Sequence, residues 1–329
     1  MSNLLFSLNI VMPMTIMMVI GYLFKKIGLF SSTFIREGKK FCFYVLLSCS
    51  LFKNLYDSDL IEIPYNLIIL VVVSILIEFF VSLFISKAVA EKKNQIGVMI
   101  QGAIRSNFAY VGLPLASLFF SQSDMVAKVS TEMSMMSIFV IPMFNILSVI
   151  GLSIYGEHED NNVLKNTLKA IFKNPCIRSI FLGIMVLLFR IIVPGSAFFI
   201  KNQLNPLYKI LVYMANMSTP FALLLVGASL EFKSTNKNVK MLTWTVLLKD
   251  LLFPGVILLA AYLLKGYTAA EYAVLISIFA SPAGVTTAIL AQEMKGDGDL
   301  ANEVVVYTTI FSIFSLLLII SILKGAGCL

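Results

Sequence analysis

Residues 105–115 read RSNFAYVGLPL, and residues 281–284 read SPAG. Each string sits inside an apolar stretch long enough for a helix, and each places a proline beside a glycine. Proline removes a backbone N–H and clashes with the carbonyl four residues back, so a helix kinks or breaks there. What such a break means depends on the surroundings. Of the 329 residues, 59% belong to the AVILMFWYC set and 13% are charged, against roughly 45–50% and 25% in an ordinary soluble domain. The mean hydropathy of +0.91 exceeds what one water-facing globule can hide, whereas a bilayer accepts it on its lipid face. The chain therefore reads as an all-α integral membrane protein. In hydrocarbon, broken backbone is tolerated only where it is buried in protein or lines a cavity.

Working outward, apolar stretches fall at residues 3–24, 40–55, 64–86, 94–120, 125–155, 175–193, 204–230, 241–264, 269–292 and 304–323. This predicts ten transmembrane helices, with no room for a large soluble domain. The second is the weakest stretch, diluted by Cys42, Ser48, Cys49, Ser50 and Lys53. No charge precedes the first span and Lys25 and Lys26 follow it, the reverse of a cleavable signal peptide. A retained first helix with its N-terminus outside is expected. On that orientation the cytoplasmic connections carry sixteen Lys and Arg, the opposite side seven, and Arg105 and Lys249 lie within spans. The bias supports both termini outside and a cytoplasmic segment 155–174 in a multi-pass protein of the cell (plasma) membrane. The connection between the ninth and tenth spans gives no vote, since Lys295 stands among Glu293, Asp297, Asp299 and Glu303. The formal charge of +7 is then a topology signal and a contact for anionic lipid headgroups, with no nucleic acid implied. Cys42, Cys49, Cys176 and Cys328 show no metal-ligand spacing and read as small apolar fillers. His158 lies outside any span.

The polar segment 155–174 separates five spans (residues 1–154) from five (residues 175–329). Because five is odd, a repeated unit inserts upside down the second time, which is the inverted-repeat plan of many secondary transporters. Gly112 and Pro114 in the fourth span answer Ser281, Pro282 and Gly284 in the ninth. Glu132 and Glu303 open the following spans, although acids at helix starts are common for dipole reasons alone. Two discontinuous helices are expected. Each second half would begin at the midplane with free N–H groups and a partial positive charge, Ser281 acting as N-cap with Pro282 at the first helical position. Such ends attract an anion. The plainer reading is a pair of kinks.

At these residues the chain resembles the auxin efflux carrier family of the bile/arsenite/riboflavin transporter superfamily. The string 105–115 resembles the family's fourth-helix motif. Lys173-Asn174-Pro175 resembles its entry to the sixth helix, residues 220–230 (PFALLLVGASL) its seventh-helix signature, and Lys249 with Pro254 its eighth; Pro282 falls at its ninth-helix crossover. The likeness spans the whole chain. It implies helices 4 and 9 crossing at Pro114 and Pro282, with the substrate between a scaffold of spans one, two, six and seven and an elevator-like mover. It implies carriage of a carboxylate such as malate, malonate or an auxin-like acid, and a homodimer through the scaffold. The second span departs from the family, having Leu47-Ser48-Cys49-Ser50-Leu51 where relatives carry a proline-containing motif.

Ionisable groups inside spans are rare and usually face an interior cavity. Arg105 lies about 16 Å of helical rise into its span, where its fork of donors suits a carboxylate. It would otherwise pair with Glu78 or Asp250. Lys249 and Asp250 are adjacent, about 100° apart on a helix, and face different neighbours. Glu78 is the leading candidate for proton linkage, with Asp250 and Lys249 as further coupling candidates; H+ and Na+ are both open as coupling ions, and no cofactor is implied. Asn107, seven residues before Pro114, has an amide that serves either charge, or merely an interhelical bond. Thr286 and Thr287 follow the ninth-helix break, with back-bonding to their own helix the plain alternative. Asn216, Ser218 and Thr219 precede Pro220 as a third polar cluster. The predicted substrate-binding set is Arg105, Asn107, Gly112, Pro114, Asn216, Ser281, Pro282 and Thr286.

Other classes fit less well. No phosphate-binding loop or ATPase-sized connection occurs. Gly296-Asp297-Gly298-Asp299 matches the letters of a GxGD intramembrane protease, a chemistry of two close carboxylates, but it falls in a charged connection. Asp57 and Asp59 are too few oxygens for a hard cation. An anion channel is the remaining alternative, and paired broken helices favour alternating access over it.

Overall fold

The computed structural model describes residues 3–57, 64–120, 123–155, 173–193, 199–231 and 238–329. Most of the connection 155–174, including His158, lies outside these residues, as does Asp59. Among the described residues all regular structure is helical. Six helices among the described residues are long and apolar enough to cross a membrane, which makes this a multi-pass membrane protein.

The elements run in order as α1 (Asn3–Lys26), α2 (residues 32–57), α3 (Tyr65–Val89), α4a (Lys93–Ile104), α4b (Leu113–Ala116), α5 (Ser123–Tyr155), α6 (Pro175–Ile192), α7 (Asn205–Ala228), α8 (Val239–Leu264), α9a (Ala269–Phe279), α9b (Thr286–Glu293) and α10 (Gly298–Gly325). The weak second stretch forms a helix longer than its hydropathy predicts. Ser31 caps it by accepting from Phe34 N at 3.1 Å. Inside the span Ser48 finds a backbone acceptor of its own, its Oγ donating to Phe43 O at 3.3 Å after a π-turn at Cys42–Leu46. Asn174 caps α6 by accepting from Cys176 N (2.9 Å) and Ile177 N (3.4 Å), with Pro175 in the first turn, where no N–H is needed.

Packing is closest between α1 and α7. A Cβ added at Gly21 would stand 2.0 Å from Leu224 O, and one at Gly227 would stand 1.8 Å from Met18 O, so the two backbones touch at two points only glycine permits. α1 also lies along α10, α2 packs on α6 and α7, α4a lies between α3 and α5, and α9b lies on α10.

Both interrupted spans appear, but the fourth is interrupted away from its proline. The helix ends at Ile104, Arg105 to Asn107 leave helical geometry, and a π-turn at Phe108–Gly112 leads into α4b. Pro114 is buried in the first turn of α4b. That position wants no N–H, and the wider turn ahead of it relieves the clash with the carbonyl four residues back. The crossing therefore does not run through Pro114. In the ninth span Pro282 does lie in the interruption, at residues 280–285, but α9b begins only at Thr286. Ser281 is accordingly no N-cap: its Oγ donates to Ser277 O at 2.7 Å.

Candidate functional site

The two interruptions meet as a short antiparallel pair, Ser106 facing Ala283. Asn107 N donates to Pro282 O at 2.7 Å and Gly284 N to Arg105 O at 2.9 Å. Asn107 O accepts from Val111 N (2.9 Å) and Gly112 N (3.1 Å). Ala283 N donates to Thr308 Oγ1 of α10 at 3.1 Å, and Ser106 Oγ to Ser281 O at 3.4 Å. Each broken segment thus satisfies the other's backbone, as a membrane interior requires. It follows that the amides of Asn107, Ala283 and Gly284 are taken, and what the crossing offers a ligand comes from side chains.

A cavity of about 560 Å³ opens beside this pair. Its floor is Arg105, Ser106 and Asn107 with Gly284 to Thr286; its walls are Phe43 and Tyr44 of α2, Ile141, Phe144 and Asn145 of α5, and Phe108 to Tyr110; Lys25, Arg36, Lys39, Lys40 and Glu231 stand at its mouth. Arg105 Nη2 donates to Asn145 Oδ1 at 2.8 Å, and Asn145 is held in turn by its Nδ2 bond to Ile141 O at 2.8 Å. No carboxylate among the described residues lies within ion-pair distance of Arg105. Arg105 Nη1 and Asn107 Nδ2 are buried donors without an acceptor. An unpaired buried donor costs about 1–3 kcal/mol, more when charged, and both atoms, closed off from the cavity space itself, belong to residues that line its floor. At the mouth Lys25 pairs with Glu231 at 3.0 Å, and Glu37 pairs with Arg36 (3.4 Å) and Lys40 (3.7 Å), so two carboxylates stand against four cations and the balance there is basic.

Of the residues expected to bind substrate, Arg105, Asn107 and Thr286 line this cavity. Pro282 contributes its carbonyl to the crossing, and Ser281 is buried behind it. Gly112 is a close-approach glycine, since a Cβ there would stand 2.7 Å from Ser277 O. Pro114 is buried in α4b, and Asn216 is exposed on α7; neither lines the cavity. Glu78, Lys249 and Asp250 form a separate buried group. Lys249 Nζ donates to Phe279 O, at the end of α9a, at 3.3 Å, while the carboxylate oxygens of Glu78 and Asp250 accept no hydrogen bond.

Sequence reasoning missed Asn145 and Tyr110. Asn145 had a signal, being the one amide in the apolar run after Pro142. Tyr110 had none, because its role depends on α2: its hydroxyl donates to Lys39 O at 3.1 Å and its ring stacks on Phe43 at 6.4 Å between centroids. The GxGD letters resolve into a helix start, with Asp297 Oδ1 accepting from Leu300 N at 3.0 Å and Oδ2 accepting from Gln95 Nε2 at 3.2 Å.

The fold and the cavity define a multi-pass helical membrane protein with a largely apolar cavity, basic at its mouth, beside a crossing of broken helices. The family model described as membrane transport protein matches residues 6–320, and the chain belongs to that family. No curated protein matches it.

Proposed function

We propose that this chain is a secondary transporter of the auxin efflux carrier kind that moves a small organic anion, a carboxylate such as malate, malonate or an auxin-like acid, by alternating access. The observation that carries the reading is the pair of acceptor-less donors, Arg105 Nη1 and Asn107 Nδ2, on residues of the cavity floor. A carboxylate would accept from both once these side chains turn from their closed-off positions toward the cavity, since guanidinium and amide donors can share its two oxygens. In this reading residues 1–154 and 175–329 are inverted five-helix repeats, ten spans in all, with α1, α2, α6 and α7 as the scaffold through which a homodimer forms. The termini lie outside the plasma membrane, the segment 155–174 is cytoplasmic, and the basic mouth faces the cytoplasm, in keeping with the bias of Lys and Arg. Glu78, with Lys249 and Asp250, is the group on which proton or sodium coupling would act.

The test is uptake of labelled malonate, malate and aromatic carboxylates into proteoliposomes, with and without a pH or sodium gradient. Saturable flux of at least one carboxylate, competed by others, is expected. Flux absent for every carboxylate from well-folded protein, or present but linear in concentration and indifferent to competitors, would end the reading.

A further inference from the structure

Asn54 lies near the far end of α2, about 22 Å of helical rise beyond Lys39 and so on the side of the crossing away from the cavity mouth. There it ties α2 to α5 twice. Its Nδ2 donates to Ser134 Oγ at 3.4 Å, and its own carbonyl accepts from Thr131 Oγ1 at 3.4 Å. Ser134 spends its hydroxyl proton on Ser130 O at 2.8 Å, which leaves its oxygen free to receive the Asn54 amide. Ser134 is wholly buried, and Asn54 and Thr131 are half-buried. The same two helices stand apart around the cavity, α2 presenting Phe43 and Tyr44 and α5 presenting Ile141, Phe144 and Asn145. α2 and α5 are thus parted at one end and tied at the other, and Asn54 itself does not line the cavity.

We infer that Asn54 is a positioning residue for transport: with Thr131 and Ser134 it forms the tie that shuts the face opposite the cavity mouth, and this tie opens for the anion to pass on that side. The inference rests on the alternating-access reading above. Two hydrogen bonds at 3.4 Å suit a contact made and broken in every cycle, because each contributes modestly and reforms without a large barrier. Losing both shifts a two-state equilibrium by about fivefold to tenfold.

The experiment reads sidedness with no substrate present. A reporter thiol is introduced by Ala109→Cys on the cavity wall, in full-length protein in which Cys49 and Cys328 are replaced by serine; Cys42 and Cys176 are buried. A membrane-impermeant thiol reagent is then applied to sealed vesicles of each orientation. The parent should label from the basic side. Asn54→Ala removes the bond of the side-chain amide to Ser134 but keeps the backbone carbonyl that Thr131 reaches, and should raise labelling from the opposite side about twofold to threefold and lower it from the basic side. Thr131→Val with Ser134→Ala removes both bonds from α5 and should act in the same direction, about fivefold to tenfold, so the test survives if either variant is not recovered folded. In malonate uptake the double variant should change the maximal rate at least threefold and Asn54→Ala should change it in the same direction by less, both leaving the half-saturating concentration within twofold. Unchanged sidedness in the folded variants, or a raised half-saturating concentration at unchanged sidedness, overturns the inference. A sidedness shift in a protein that carries no carboxylate would instead overturn the transport reading and leave the tie standing.

Discussion

Pro282 sits in the open stretch between α9a and α9b and gives its carbonyl to Asn107 N, whereas Pro114 sits in the first turn of α4b, with the fourth span already open some eight residues earlier. Prolines in the two interrupted spans thus take different parts. In the ninth span the proline prevents the helix from continuing and its neighbours pair across to the fourth. In the fourth span the opening is made by that pairing: Arg105 O and Asn107 N are drawn out of the helix to meet Gly284 and Pro282, and Pro114 merely restarts a helix where its missing N–H does no harm. A proline therefore marks a span that can be broken, while the place of the break is set by the partner backbone. The functional consequence is large, because opening at 105–107 puts Arg105 and Asn107 on the cavity floor.

The largest effect should come from those side chains. Arg105→Gln keeps length and an amide for Asn145 but removes the cation, and should lower malonate flux about a hundredfold, roughly the worth of a charge-assisted pair. Asn107→Ala keeps the backbone that holds the crossing and should abolish measurable transport at unaltered expression. Unchanged kinetics in either variant would remove that residue from the site. Next in size, Thr308→Val removes the acceptor of Ala283 N in a buried position and should cost about 1–3 kcal/mol, read as a lower midpoint of thermal unfolding in detergent. A midpoint equal to the parent's would mean that the crossing does not depend on α10. A direct comparison of the prolines comes third. Pro282→Ala returns an N–H to the interruption and loosens its φ, and should destabilise by about 1 kcal/mol, while Pro114→Ala stays within about 0.5 kcal/mol. Equal shifts would erase the asymmetry argued above. The smallest expected change is Tyr110→Phe, which keeps the stack on Phe43 but loses the bond to Lys39 O. It should alter the maximal rate of uptake two- to fivefold; a change confined to half-saturation would make Tyr110 a substrate contact instead.

The membrane character, the apolar stretches and the special standing of the fourth and ninth spans were legible because they rest on local signals: hydropathy over a window and the covalent limits of proline. The second span was harder to read, since Ser48 and its polar neighbours lower the hydropathy while the bond of Ser48 to the helix backbone and the pair of Lys53 with Asp57 offset part of the cost. Arg105 and Asn107 stood out as costly polar groups in an apolar run. Their partners did not. Whether Arg105 meets a carboxylate or Asn145 depends on where α5 lies, and the reading of Ser281 as a cap failed because α9b starts four residues after Pro282.

Taken alone, the sequence determined that this chain lies in a bilayer as helices and that two of them are open to interruption, since both follow from the transfer cost of side chains and the geometry of proline. Only the tertiary structure decided where the fourth span opens and which donors are left over. Backbone groups some 175 residues apart in the chain take up one another's hydrogen bonds there, and pairing at such separation leaves no local trace in either segment.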